Sequence, residues 1–171
     1  MKIPVFVSCP TDLSAAQDAS RRAILRELDR LGLEPRAIGR SDYPTELPLR
    51  EVLILARHCA GGLILGFTQF QSKAGVSRPG TKKEKKVSSL SFFPSPWNHL
   101  EAGILFGLQL PLLVFREEGV EGGIFDIGVT DVFIHKMPPG NISGEEKKGL
   151  AQVFLKWQGA VRAKYYGSPA T

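Results

Sequence analysis

A carboxylate and an aromatic side chain lie one helical turn apart in the segment SPWNHLE, residues 95–101. Trp97 and Glu101 are four residues apart, so in a helix both side chains lie on one face. Ala102 and Gly103 follow directly and would leave space around the carboxylate. An aromatic ring can stack on a nucleobase, while a carboxylate can bind sugar hydroxyls or stabilise positive charge at an anomeric carbon. The pattern therefore favours a ribosyl or nucleobase ligand, with Glu101 as the catalytic residue.

The same segment is also typical of an ordinary helix start. Ser95 is suited to an N-cap and Pro96 to the first helical position. A glutamate near a helix N-terminus gains roughly 0.3–1 kcal/mol from the helix dipole without any catalytic role. Trp97 is equally suited to a place in the core. The residues alone leave both interpretations open.

Continuous apolar runs and helical apolar stripes alternate along the chain. The predicted strands are residues 3–8, 33–40, 61–67, 111–115 and 130–137, and the predicted helices are residues 14–31, 49–59, 97–108 and a last helix that starts near Ser143. Parallel strands need crossover connections, and this alternation supplies them. We therefore predict an α/β fold: a flavodoxin-like three-layer α/β/α arrangement with a five-stranded, mostly parallel sheet in the order 2-1-3-4-5. A single domain over residues 1–171 would carry a basic loop insertion at about 69–94.

In open sheets of this kind, ligands bind beyond the carboxyl ends of the strands. Glu101 lies in the helix that follows strand three and its long loop, so the fold places it on that rim. The ligand-binding candidates share this location: Ser8, Cys9 and Asp12 after strand one, Arg40 and Asp42 after strand two, Phe67 and Gln69 after strand three, and Trp97 and Asn98 beside Glu101.

Simpler roles are open for some of these candidates. Asp12 and Ser14 are suited to capping the first helix. Cys9 can serve as a small buried hydrophobe. Arg40 and Asp42 fit a solvent-facing pair as well as they fit a phosphate site.

Several kinds of site are excluded by missing motifs. The chain has no GxGxxG after its first strand, no GxxxxGK[ST] and no GxSxG, so a Rossmann site, a P-loop and a nucleophile elbow are not supported. The three histidines lack metal-ligand spacing, and the two cysteines form no CxxC pair. We expect no metal and no cofactor. With 43% hydrophobic and 23% charged residues and no membrane-length apolar run, we expect a soluble cytoplasmic protein with no membrane partner.

Much of the formal net charge of +5 comes from residues 72–86, SKAGVSRPGTKKEKK. A basic segment can bind nucleic acid or a phosphorylated ligand. Such runs are more often solvated, mobile insertions, because their composition buries little apolar area to offset the entropy of ordering. We therefore expect residues 72–88 to form a mobile loop that covers the ligand site. Nucleic-acid binding through residues 72–86 rests on charge alone and is the third hypothesis, behind an enzyme and a non-catalytic module.

Two families share this arrangement of motifs over residues 3–137. VFVS, GRSDYPTELPL, LILGF and the S-x-W-x-x-x-E segment resemble the Toll/interleukin-1 receptor (TIR) domain pattern. LEAGILFGLQLPLLVF resembles the nucleoside 2-deoxyribosyltransferases, whose nucleophile lies in E-x-G-x-A-x-x-x-x-x-P. Glu101, Gly103 and Pro111 match that pattern, whereas Leu105 or Phe106 replaces its small residue. Both resemblances imply that Glu101 is the catalytic residue of a flavodoxin-like nucleotide N-glycosidase.

The chain departs from each family beside the proposed catalytic residue. The stretch GFTQFQS lacks the acid that deoxyribosyltransferases carry after strand three, and about 27 residues separate strand three from the tryptophan, unlike in TIR domains. Nicotinamide leaves as a neutral base and needs little acid help. The resemblance therefore implies cleavage of the nicotinamide–ribose bond of NAD, or of a related nucleotide, with the small-molecule nucleotide as substrate and assembly into a homo-oligomer on activation. A non-catalytic module that binds a nucleotide signal or mediates assembly, and a nucleoside deoxyribosyltransferase, remain alternatives.

Overall fold

The computed structural model describes residues 2–39, 47–129 and 132–167. The first part of the chain forms β1 (Ile3–Ser8), α1 (Ala15–Arg30), β2 (Leu33–Arg36), α2 (Pro48–Arg57) and β3 (Gly62–Gly66). Four short strands follow: β4 (Phe70–Ser72), β5 (Gly75–Ser77), β6 (Lys85–Val87) and β7 (Ser91–Phe93). The last part forms α3 (Pro96–Gly107), β8 (Leu112–Arg116), a short 3-10 helix (Gly123–Phe125), β9 (Ile134–Lys136) and α4 (Gly144–Gly167).

Five parallel strands form the central sheet in the order β2-β1-β3-β8-β9. Numbered among themselves, these strands have the order 2-1-3-4-5. The predicted flavodoxin-like α/β fold is therefore confirmed. The fifth strand is shorter than the predicted residues 130–137, and residues 130 and 131 lie outside the described part of the chain.

Helices cover both faces of the sheet, which is why its central strands are continuously apolar. In β3, Leu63 and Leu65 belong to a hydrophobic cluster that α1 and α4 cover. Ile64 points to the opposite face and joins the cluster beneath α2 and α3. All five residues of β3 are buried, as expected for a strand with both faces covered.

The end of β3 is held by a close aromatic contact. A Cβ atom added to Gly66 would lie 2.4 Å from the ring of Phe125. Phe125 is fully buried and belongs to the 3-10 helix that follows β8. Glycine therefore allows this helix to pack directly on the carboxyl end of the central strand.

The segment predicted as a long loop forms an antiparallel β-hairpin, which we call the arm (residues 70–93). Its base consists of β4 paired with β7, and its outer part of β5 paired with β6. The loop prediction was wrong. Strands are predicted from an alternation of apolar side chains, and the outer part of this segment has no such alternation. Backbone hydrogen bonds between its strands nevertheless form the ladder. Phe92 anchors the base by packing against the core beneath α3 and by bridging to Val120.

Candidate functional site

Helix α3 begins at the rim of the sheet, at a cap that the sequence predicts. The Ser95 side chain accepts a hydrogen bond from the backbone N–H of Trp97, and Pro96 occupies the first turn. Asn98, Ala102 and Leu105 form the buried face of the helix. Glu101 lies one turn after Asn98, at the edge of that face. The predicted cap is confirmed, and it positions the carboxylate beside the end of β1.

A chain of hydrogen bonds joins Glu101 to the central strand. The Asn98 Nδ2 donates to the Ser8 Oγ at 2.8 Å and lies 3.4 Å from the backbone oxygen of Leu65. Ser8 is the last residue of β1 and is fully buried. Its side chain is also hydrogen-bonded to Glu101. A serine hydroxyl has one proton, and since its oxygen accepts from Asn98, that proton is available for the Glu101 carboxylate.

Burial sets the proton affinity of Glu101. Removal from water raises the pKa of this carboxyl to about 7, and the hydrogen bond from Ser8 opposes the rise. Among the described residues, no cation stabilises the carboxylate form, since burial and Ser8 are the two causes of the shift. Near neutral pH the side chain therefore exchanges between a neutral acid and a poorly solvated carboxylate. A poorly solvated carboxylate gains more from a cation beside it than a solvated one does.

Trp97 and Glu101 occupy one flank of α3, as their spacing predicts. The indole is 44% exposed and is therefore free to stack on a ligand. The small residues after Glu101 do not surround it. Ala102 is buried against the core, and Gly103 lines a cavity of about 680 Å³ on the opposite flank of the helix. The expectation that both leave space around the carboxylate was wrong, because a helix turns by about 100° per residue.

The candidates near the end of β1 differ in their exposure. Ser8 and Asn98 are buried and position Glu101, so they lie behind the rim and not on its surface. Cys9 is half-buried and packs against the core cluster. Asp12 is exposed, and Ser14 rather than Asp12 caps α1, in a reciprocal capping box with Gln17.

The candidates after strands two and three have different outcomes. Arg40 and Asp42 lie outside the described residues. Gln69 is exposed, and its side chain donates to the backbone oxygen of Asp12 at 3.2 Å. Phe67 is fully buried in the cluster beneath α1 and α4. The strand alternation at this position points the Phe67 ring into the core, and not toward the rim where a ligand was predicted.

A second carboxylate at the rim was missed from the sequence. The Glu117 Oε2 accepts hydrogen bonds from the Thr68 backbone N–H at 2.6 Å and from the Gln17 Nε2 at 3.0 Å. It thereby joins the end of β8, the root of the arm and α1. No motif surrounds Glu117, although its position directly after a buried strand marks it as a rim residue.

Two of the histidines pack against buried phenylalanine rings. Partial burial lowers the pKa of His99, which packs edge-on against Phe125, and the nearby Asp126 opposes that shift. Burial also lowers the pKa of His135, beside Phe115. Within residues 2–39, 47–129 and 132–167, no group of three histidine, cysteine or acidic side chains could hold a metal ion.

No protein-family model matches this chain, and no curated protein matches it. A solved structure with a similar chain path is the metal-soaked Flv1 flavodiiron core from Synechocystis sp. PCC6803, at 12% sequence identity and a TM-score of 0.49. That alignment covers 98% of this chain and 37% of the flavodiiron chain. In the described part of the chain, no helix is long and apolar enough to cross a membrane.

Proposed function

We propose that this protein is a nucleotide N-glycosidase that cleaves the nicotinamide–ribose bond of NAD or of a related nucleotide, with Glu101 as the catalytic residue. One observation carries the proposal: a mostly buried carboxylate, with its pKa raised to about 7, lies at the carboxyl end of the central strands beside an exposed tryptophan. Structural ion pairs do not explain this shift, since burial is its largest cause. Strongly perturbed carboxyl groups in such positions are typical of active sites.

The proposed reaction breaks the bond between the ribosyl anomeric carbon and the pyridinium nitrogen. The bonding electrons leave with nicotinamide, which departs as a neutral molecule and needs no proton. The ribosyl group becomes an oxocarbenium-like cation, which the Glu101 carboxylate stabilises at close range. Water then attacks the anomeric carbon and releases one proton.

Each neighbour of Glu101 has a part in this scheme. The Ser8 hydroxyl orients the carboxylate, and Asn98 holds the Ser8 oxygen in place at 2.8 Å. Trp97 stacks on the nicotinamide or on the ribose face. Because the substrate itself is cationic at the pyridinium ring, its binding beside Glu101 favours the charged form of the carboxyl group.

The test is to incubate the protein with NAD and, separately, with deoxynucleosides, and to resolve the products by mass spectrometry. The assay should be repeated at high protein concentration, where assembly would reveal activity that a monomer lacks. We expect free nicotinamide from NAD, with kcat/KM falling about tenfold per pH unit below pH 7 as Glu101 gains its proton.

The decisive variant is Glu101→Gln, matched by Glu121→Gln on the exposed surface. Loss of the carboxylate should reduce turnover by about 10²–10³-fold, whereas the control should retain full turnover. A Glu101→Gln variant that releases nicotinamide at the normal rate would refute the proposal. NAD binding without any product would instead identify a nucleotide-binding module, and base exchange between deoxynucleosides would identify a transferase.

A further inference from the structure

The arm carries a charge equal to the formal net charge of the whole protein. Between residues 72 and 87 it has six basic residues, namely Lys73, Arg78, Lys82, Lys83, Lys85 and Lys86, and the single acid Glu84. These give a net charge of +5, which is also the formal net charge of the chain, so acids and bases balance elsewhere. The electrostatic field of the protein is therefore concentrated on one projecting element.

The positive charges of the arm are open to a partner. Every residue from 73 to 86 is exposed. No ion pair joins the basic residues of the arm to a carboxylate within the described parts of the chain. Glu84 offsets one of the six positive charges, and its carboxylate accepts a hydrogen bond from the Gly80 backbone N–H at 2.7 Å in the turn.

The pairing of β5 with β6 places lysines on both faces of the ribbon. Lys86 lies opposite Val76, and Lys85 lies opposite Ser77. Residues directly opposite each other share a face, and neighbours along a strand alternate between faces. Lys85 and Lys86 therefore point to opposite sides, while the turn carries further cations at the tip. The arm is positive on both faces and at its end.

We infer that the arm inserts into the major groove of duplex DNA and binds its phosphates. The groove, about 12 Å wide, admits a two-stranded β-ribbon, and its two walls carry phosphates on both sides of the inserted element. The arm extends about 25 Å from its base, at about 3.3 Å per strand residue, so it can enter the groove without the globular core touching the duplex. This DNA-binding function is separate from the chemistry at Glu101.

The distribution of charge favours a groove over a flat partner. An anionic membrane or an acidic protein surface would contact one face of the ribbon and leave the cations of the other face in water. A groove satisfies both faces and the tip at once. Single-stranded nucleic acid is recognised mainly by stacking on aromatic side chains, and the outer part of the arm, residues 73–89, has none. Contacts of this type position the protein on DNA without reading its sequence.

The test measures binding of the full protein to a fluorescent 20-base-pair duplex of arbitrary sequence, by anisotropy, from 50 to 200 mM salt. The arm variant changes Lys82, Lys83, Lys85 and Lys86 to glutamine. The control variant makes the same change of four charges at exposed positions of α4, namely Lys147, Lys148, Lys156 and Arg162. Parallel measurements use the single-stranded 20-mer and vesicles of phosphatidylcholine with 30% phosphatidylserine in place of the duplex.

We expect the wild-type protein and the control variant to bind the duplex with the same salt dependence. Each phosphate contact contributes about 0.9 to the slope of log K against log salt, so the arm variant should lose about 3–4 from that slope. Between 50 and 200 mM salt, four phosphate contacts weaken the affinity for the duplex by about 10²-fold. The arm variant lacks those contacts and should not show this part of the salt dependence.

Three results would overturn the inference. The first is an absence of duplex binding at 50 mM salt. The second is equal weakening of the arm variant and the control variant, which would show an effect of net charge alone. The third is arm-dependent binding that is as strong for the single strand or for the vesicles as for the duplex.

Discussion

Replacement of Glu101 by glutamine should stabilise the protein, in addition to lowering the proposed turnover by about 10²–10³-fold. The pKa of this carboxyl is about 7 in the folded protein, against 4.5 for the free side chain. Folding therefore favours the neutral form of the Glu101 carboxyl. The contribution of that neutral form to the free energy of unfolding is fully present below pH 4.5 and is lost as the pH rises through 7. At 1.36 kcal/mol per pH unit, the interval from 4.5 to 7 corresponds to about 3 kcal/mol. Glutamine keeps the size and the oxygen acceptor for Ser8 without ever becoming charged.

The assay is urea unfolding of the wild type and of Glu101→Gln at half-unit steps from pH 4.5 to 8.5. The difference in unfolding free energy should be close to zero at pH 4.5 and should grow to about 3 kcal/mol in favour of the variant at pH 8.5, equivalent to roughly 6–12 °C in Tm. Titrations of other groups cancel in this difference. Glu121→Gln, on an exposed glutamate, should show no such trend. A Glu101→Gln variant that is less stable than the wild type at pH 8.5, or a difference that does not depend on pH, would refute the burial argument.

Three further predictions test the parts that position the site. Ser8→Ala should lower the free energy of unfolding by about 1–3 kcal/mol, because the buried Asn98 amide loses its partner at 2.8 Å. It should also move the acidic limb of the pH profile of the proposed activity to higher pH, because Glu101 loses the hydrogen bond that lowers its pKa. An unchanged pH profile would contradict this prediction. Gly66→Ala should destabilise the protein by about 1–3 kcal/mol, because the added Cβ would lie 2.4 Å from the Phe125 ring. Gly103→Ala has open space at its Cβ and should stabilise the protein by about 0.5–1 kcal/mol. Thermal unfolding that ranks the two variants the other way would refute the described packing at Gly66. Replacing residues 73–90 by Asn-Gly, which closes the base of the arm with a two-residue turn, should leave Tm within a few degrees, because residues 73–86 are all exposed; a variant that fails to fold would show that the arm belongs to the core.

The architecture of the central sheet could be predicted from the sequence because its signals are local. A continuous apolar run such as GGLILGF indicates a strand buried on both faces, and its flanking helical stripes indicate crossovers. Parallel connections then restrict the strand order to few possibilities. The helix start at Ser95 and Pro96 was predictable for the same reason, since caps depend on neighbours within one turn.

Side-chain directions at the rim could not be predicted from the sequence, because they depend on strand and helix geometry. Phe67 follows a strand at the rim, yet strand alternation turns its ring into the core. Gly103 follows Glu101 closely in sequence, yet the helix turns it to the opposite flank. The arm lacks an apolar alternation, so only the pairing of its backbone reveals that residues predicted as a loop form a ribbon.

The residue types near Glu101 were determined by the sequence, and its chemistry was decided by tertiary contacts. A carboxylate four residues after a tryptophan is visible in the printed chain. Its raised pKa is not visible there, because burial in the folded protein causes the rise, and the hydrogen bond that opposes it comes from Ser8, 93 positions away along the chain. The hydrogen bonds of Glu117 are likewise invisible in the sequence, because its carboxylate accepts them from Gln17 and Thr68, which lie in two distant segments. Local sequence specifies elements and their order, whereas the free energy of a buried charge depends on atoms that only folding brings together.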